Sequence, residues 1–318
     1  GTVSLRTRKP FDSPGRVIAV SGDISYGDMA EEESPTISAL FSDRWETGAG
    51  EFGFLLNFAH SELKGASHGI QSDPYLQYDA ADFAGAERFD TVWVPNGSNF
   101  FMKNDDRTRK GYAAAFQWEN TDQTILTTAQ FMRSDARLSW TDNAVKYQGD
   151  SYDGERQVGV LEGTEFTFND QGVFEKGTLV HEAGWRGGYA PEGDQFGTKF
   201  QTDTRYKDTR TIVDDYAFNI KFTPNDQWEY ELDLQYIEAE TRDDDLQIAL
   251  GQWAMQTYDT TGDTPTLVLD DPYSTRRESD PNWFQNPENY WWRSAMDHYE
   301  RSEGESFATR ADVKYNFD

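Results

Sequence analysis

Residues 214–240, "DDYAFNIKFTPNDQWEYELDLQYIEAE", alternate apolar and polar positions with a period of two. Tyr216, Phe218, Ile220 and Phe222 share one parity, and Trp228, Tyr230, Leu232, Leu234 and Tyr236 share one parity beyond the "TPNDQ" break. That pattern predicts an antiparallel hairpin with one apolar and one polar face. The same alternation marks strands at 16–26, 36–45, 51–63, 110–119 and 307–317, and a strand of ambiguous facing at 124–140. With the two arms of the hairpin this makes eight strands.

Connection lengths carry more information than the strands. Short breaks at 46–50, 120–123 and 223–227 alternate with long polar and aromatic regions at about 64–107, 141–204 and 241–305. Compact domains rarely hold several structureless loops longer than about 15 residues. A transmembrane β-barrel with short turns on one rim and long loops on the other produces the alternation by construction. Its strands need only about 9–11 residues to cross a bilayer, and "WEYELDLQYI" is such a segment. Trp118, Phe222, Trp228 and Phe317 stand beside short turns, where an interfacial aromatic girdle belongs. The parity of the hairpin assigns Tyr216, Phe218, Ile220, Trp228, Tyr230, Leu232 and Leu234 to lipid. Asn219, Lys221, Glu229, Glu231 and Asp233 fall on the lumenal face.

Composition narrows the function. The chain has 318 residues, 15% of them aromatic, and a formal net charge of -28, so a phosphate backbone is repelled and nucleic acid is not an expected partner. It has no cysteine, hence no thiolate nucleophile, disulfide or thiolate-ligated metal. No run of about 18 apolar residues offers a membrane helix. His60, His68, His181 and His298 lie far apart, and "DDD" at 243–245 lacks the alternating oxygens and glycine of a calcium loop and reads as an acidic loop tip. "GWRGGYAPEG" at 184–193 is neither a P-loop nor a dinucleotide fingerprint. With no catalytic, metal or cofactor constellation, the sequence does not read as an enzyme.

"GTVSLRTRKPFD" resembles the last plug strand of TonB-dependent outer-membrane receptors, and "GRVIAVSGDISYGDMAEEESPTISALFSDRWETGAGEFGFLLNFAHSE" resembles the first three barrel strands of their proteobacterial Xanthomonas and Caulobacter type. "NYWWRSAMDHYERSEGESFATRADVKYNFD" resembles the loop helix and descending strand of that group. The resemblance implies a barrel of about 22 strands with a plugged lumen. Residues 1–12 would close the plug and 13–318 would form the first part of the barrel. It further implies active uptake of a scarce solute across the bacterial outer membrane, with lipid around the barrel and coupling to the TonB–ExbB–ExbD complex through plug residues not in this sequence.

For the ligand, Trp93, Phe100, Phe101, Trp185, Tyr189, Trp253, Trp283, Tyr290 and Trp291 are the candidate stacking residues of the long regions. Rings beside carboxylates and amides suit a sugar, whose C–H faces pack on aromatics while its hydroxyls seek acceptors. The resembled group is often associated with carbohydrate uptake, so an oligosaccharide is the first expectation and a ferric siderophore the second. The alternative for each ring is a role in folding its own loop. Trp292, Ala295, Met296 and Tyr299, at helical spacing after "NPEN", predict a short helix of this kind. Two rival architectures fit parts of the pattern: a secreted β-sandwich acting on polysaccharide, and a complete eight-stranded barrel.

Overall fold

The computed structural model describes residues 7–148, 158–160, 164–181, 198–272 and 278–317. The strands are β1 (Val17–Gly27), β2 (Glu32–Thr47), β3 (Gly50–Ser72), β4 (Tyr75–Asp79), β5 (Thr91–Pro95), β6 (Gly97–Glu119) and β7 (Ile125–Gln148). They continue with β8 (Val158–Val160), β9 (Thr167–Phe168), β10 (Phe174–His181), β11 (Thr198–Asn225), β12 (Trp228–Asp259), β13 (Thr266–Asp270) and β14 (Trp291–Tyr315). Eight long strands form one antiparallel meander in the order β1-β2-β3-β6-β7-β11-β12-β14. The protein is therefore all-β, and among the described residues no helix is long and apolar enough to cross a membrane.

Cross-strand register sets the faces. Phe58 pairs with Tyr112, Phe131 with Tyr216, and Phe218 with Leu234, so the apolar residues of successive strands continue across the sheet. This apolar band stays exposed: Leu56 is 46%, Phe218 39% and Leu232 37% accessible, and among the described residues no second sheet covers it. On the opposite face the Asn219 amide donates to Glu231 and Asp233, and Lys221 pairs with Glu229 at 2.8 Å. A sandwich would have buried the first set between two sheets.

The long regions differ from the loops expected. β3 and β6 stay paired up to Ser72 and Ser98, and β11 and β12 up to Thr198 and Ala254, so much of 64–107, 141–204 and 241–305 is strand. β12 alone has 32 residues, about 100 Å of extended chain. Directly above the apolar band the extensions carry charged residues on both faces, which removes the apolar-polar contrast by which a strand is recognised; farther out on β12, Leu246, Ile248 and Leu250 alternate with Asp245, Gln247 and Ala249. Asp243–Asp245 are likewise mid-strand positions of β12, not a loop tip. The short helix after Asn286 is also absent: Pro287–Asn289 is one 3-10 turn, and β14 begins at Trp291. Pairing of β14 with β12 from Gly251 to Trp228 satisfies the backbone over the whole segment and outweighs its helical spacing.

Tight turns define one rim. Asn120 Oδ1 accepts the backbone N–H groups of Thr124 and Ile125, and Asn225 Oδ1 those of Gln227 and Trp228. Gly50 adopts φ 114°, and a Cβ there would lie 2.1 Å from the Glu119 carbonyl oxygen, so only glycine fits. Aromatic rings gather beside these turns: Trp228 and Tyr315 are 4.7 Å apart, and Trp118 Nε1 donates to the Ala49 carbonyl. Among the described residues β1 pairs only with β2 and β14 only with β12, so the eight long strands do not close on themselves. A complete eight-stranded barrel requires that closure.

The opposite rim carries the main hydrophobic core. Phe83, Val92, Val94, Phe166, Phe174 and Tyr258 are almost fully buried against one another, joining the β4–β5 hairpin to β9, β10 and the top of β12. Phe83 and Phe166 pack at 5.4 Å, and Phe174 stacks on Tyr258 at 6.1 Å. Truncating a buried phenylalanine typically costs about 3–5 kcal/mol. Phe166→Ala is expected to accelerate amide exchange across β4, β5 and β10 while β7 and β11 keep their protection. Equal loss of protection in both regions would show that the outer core is not a separate unit.

Candidate functional site

Three groups of residues bear on function, all positioned by the polar face and the outer end of the sheet. The first is the N-terminal segment, which lies across the polar face. Phe11 N–H donates to Gln117 Oε1 at 2.8 Å, and Gln130 Nε2 to Thr7 Oγ1 at 2.7 Å. Arg44 Nη1 donates to the Phe11 and Ser13 carbonyls, its guanidinium sits 4.7 Å from the centre of the Phe11 ring, and Glu51 holds its Nη2 at 2.6 Å. A Cβ on Gly53 would meet Pro10 at 2.5 Å and Phe11 at 2.8 Å, so a glycine in β3 makes room for the crossing. Thr7–Lys9 have no regular structure and Pro10–Asp12 form a 3-10 turn. The remainder of the expected plug strand, residues 1–6, lies outside the described residues.

The second is a charged network higher on the same face. Lys103 pairs by register with Asp142, and Asp142 with Arg205. Both cations lie over the Trp140 indole, at 4.8 and 5.3 Å. Lys146 holds Asp203 at 2.5 Å, Lys207 holds Asp243 at 2.7 Å, and Arg205 Nε donates to Asp245 Oδ1 at 2.8 Å. Asp142, well beyond the apolar band, has a buried Oδ1 that accepts no hydrogen bond among the described residues. Burial pushes its carboxyl above the ordinary range, with Lys146 and Lys103 opposing. A buried acceptor beside an indole and fixed cations suits a hydroxyl-bearing solute. Among the described residues no cluster of histidine or carboxylate side chains has the arrangement of a metal site.

The third is the set of loop aromatics. Trp253, Trp283, Tyr290 and Trp291 come together. The Trp253 and Trp291 rings are 6.0 Å apart, Trp283 Nε1 donates to the Trp253 carbonyl, and Tyr290 Oη donates to the Phe284 carbonyl. Trp291 crosses its register partner Gly251, where a Cβ would lie 2.3 Å from the indole. Phe100 and Phe101 are neighbours on opposite faces of β6. Phe100 meets Tyr258 edge-on at 6.5 Å in the outer core, and Phe101 crosses Gly69. Both border a cleft of about 790 Å³ with Ile70, Met102 and Asp263. Trp93, on β5, stands apart and is 42% exposed. Trp185 and Tyr189 lie outside the described residues, as does the glycine-rich segment 184–193.

Sequence reading missed Trp140, Asp142 and the cations around them. Their signal was charge recurring at every second position in "KNDDRTRK" and "DTRYKDTR", legible only once the strands are known to continue. At the outer end of β12, Thr261 donates to Asp259 through both hydroxyl and backbone N–H, and Lys176 lies at 2.9 Å. No family model matches the chain, and no curated protein or solved structure is significantly similar to it.

Two measurements test this geometry. Gly53→Val should expel Pro10 and Phe11 from the polar face, read as protease cleavage near Lys9 in the variant but not in the parent. Unchanged protection would mean that the segment is held elsewhere. The Thr261 hydrogen bonds and Lys176 lower the Asp259 carboxyl to about 2. A depressed carboxylate stabilises the fold above the ordinary carboxylate range, and that contribution disappears as pH falls towards about 2. Carbon-detected NMR should place the Asp259 midpoint there, and Thr261→Val should move it upward.

Proposed function

We propose that the chain is part of a TonB-dependent receptor of the bacterial outer membrane, taking up a scarce solute through a plugged β-barrel. The carrying observation is the pairing of two faces: an exposed apolar band on one, and on the other a polar surface already occupied by the chain's own N-terminal segment. Lipid covers the first and lumen and plug the second. Antiparallel connectivity puts the short turns and the outer core on opposite rims, and in this reading the short turns face the periplasm and the outer core the medium. Energy enters from the TonB–ExbB–ExbD complex through the plug.

An oligosaccharide is the solute best matched. The net charge of -28 opposes an anionic chelate, whereas a neutral sugar meets no such field. The Trp140–Asp142 site and the cluster of Trp253, Trp283, Tyr290 and Trp291 offer rings beside acceptors.

The chain's lack of cysteine permits a direct test of orientation. In intact cells an impermeant maleimide should label Asp263→Cys and spare Asp122→Cys, which should react only after the outer membrane is opened. The reverse pattern inverts the topology, and equal labelling in intact cells removes the membrane reading. Leu232→Arg should cost about 2–4 kcal/mol in the bilayer and Glu231→Gln far less. For the ligand, Trp140→Ala should weaken oligosaccharide binding by about fivefold, the worth of one good ring contact. Tight binding of a ferric chelate with no response to sugars would exclude the carbohydrate assignment.

A further inference from the structure

Register joins the two ring-bearing sites of the polar face into one wall. Asn99, Lys146, Gln201 and Gly251 form a row across β6, β7, β11 and β12. The next row toward the short turns holds Phe101, Ala144 and Asp203, and the row below that Lys103, Asp142 and Arg205. All share the parity of Asn219 and Lys221, so they stand on the polar face. The Trp291 indole fills the space that a Cβ on Gly251 would take, which sets it and the neighbouring Trp253 ring beside Gln201 at one end of the upper row. Toward the other end Phe101 covers Gly69 in the same way. Trp140 lies at the foot of the wall, one row below Asp142.

Between these rings stand buried acceptors. Gln201 is only 8% exposed, and its Nε2 donates to Asp203 Oδ1. A carboxylate of that kind only accepts, so the amide orientation is fixed and Oε1 is turned away from the contact. Gln201 Oε1 accepts no hydrogen bond among the described residues, and the same holds for the buried Asn99 Oδ1 and Asp142 Oδ1. An unpaired buried acceptor is destabilising, and three on one wall point to a ligand that brings donors. Cations are interleaved with them: Lys146 holds Asp203 at 2.5 Å between Asn99 and Gln201, and Lys103 and Arg205 flank Asp142. An ammonium group on the ligand would meet these cations, and a carboxylate or phosphate would meet the unpaired oxygens. A hydroxyl satisfies both, because it donates and accepts. Asn99 and Gln201 are two strand spacings apart, about 10 Å, and Trp140 is six residues from Lys146 along β7, about 20 Å. No disaccharide spans that height.

We propose that the wall binds one extended, uncharged oligosaccharide running from Trp140 to Trp291, and that Asn99 and Gln201 determine specificity by accepting hydrogen bonds from its hydroxyls. The inference rests on the carbohydrate reading above and deepens it: the Trp140–Asp142 site and the tryptophan cluster hold two parts of the same chain, and recognition requires a ligand longer than a disaccharide.

The test is calorimetric titration of the purified full chain with the disaccharide and the hexasaccharide of neutral gluco-, xylo- and manno-oligosaccharide series, and with hexagalacturonate as the charged counterpart. In the series that binds, the hexasaccharide should bind at least tenfold tighter than its disaccharide. Asn99→Leu and Gln201→Met should each reduce that ratio by about fivefold, the net worth of one hydrogen bond. Trp291→Ala should reduce it as well, whereas Trp140→Ala should weaken both lengths. Equal affinity for the two lengths, or a ratio unchanged in both polar variants, overturns the proposal and leaves sugar binding at Trp140 standing. Hexagalacturonate bound as tightly as the neutral hexasaccharide also overturns it. The length ratio of the parent and the Asn99→Leu variant decide the matter should Gln201→Met fail to fold. Absence of binding by every sugar removes this proposal and the carbohydrate reading together.

Discussion

Everything in this structure follows from the period of two along an unusually long backbone ladder. Each strand offers its side chains to two environments, and cross-strand register copies that division from β1 to β14. A slip of one residue would exchange the faces, placing Glu229, Glu231 and Asp233 in the apolar band and Tyr230, Leu232 and Leu234 on the polar side. Tight turns at Gly50, Asn120 and Asn225 prevent the slip by fixing where each hairpin starts.

Directly above the apolar band the ladder continues with charged residues on both faces, and there charge takes over the specification of register. Individual exposed ion pairs contribute little free energy. Their arrangement is nevertheless selective: Arg133 meets Asp214, Arg210 meets Asp135, and Lys207 meets Asp243 only in the observed pairing. The net charge of -28 is therefore not a uniform coat. On the polar face cations surround Trp140 and Asp142, and on the opposite face they form a file of arginines between rows of carboxylates.

At the outer rim the described parts of the long connections fold around their aromatic residues. Phe83, Phe166, Phe174 and Tyr258 bury one another, and the polar ends of Trp283 and Tyr290 fix neighbouring backbone. The described part of the rim is consequently a folded surface carried on the long strands. A cleft beside Phe100 and Phe101, and the tryptophan cluster near Gly251, are fixed by the same packing.

Strand periodicity, the short turns and the separation of apolar from polar face in the 214–240 hairpin are legible in the sequence, because each is a local property of neighbouring residues. Within the candidate site it pointed to Trp253, Trp283, Tyr290 and Trp291, and the chain brings these four together. It left the strand extensions unread, since charged side chains on both faces interrupt the contrast directly above the apolar band, and it suggested a helix at 287–301 where pairing with β12 imposes a strand. Long-range pairing sets the crossing of the polar face by Thr7–Ser13, the place of Trp140 and Asp142 between Lys103 and Arg205, and the alignment of Arg137, Arg210, Arg242 and Arg301 in one row. Those relations join residues from strands far apart in sequence, and hydrogen-bond register across the sheet, which no local pattern encodes, sets them.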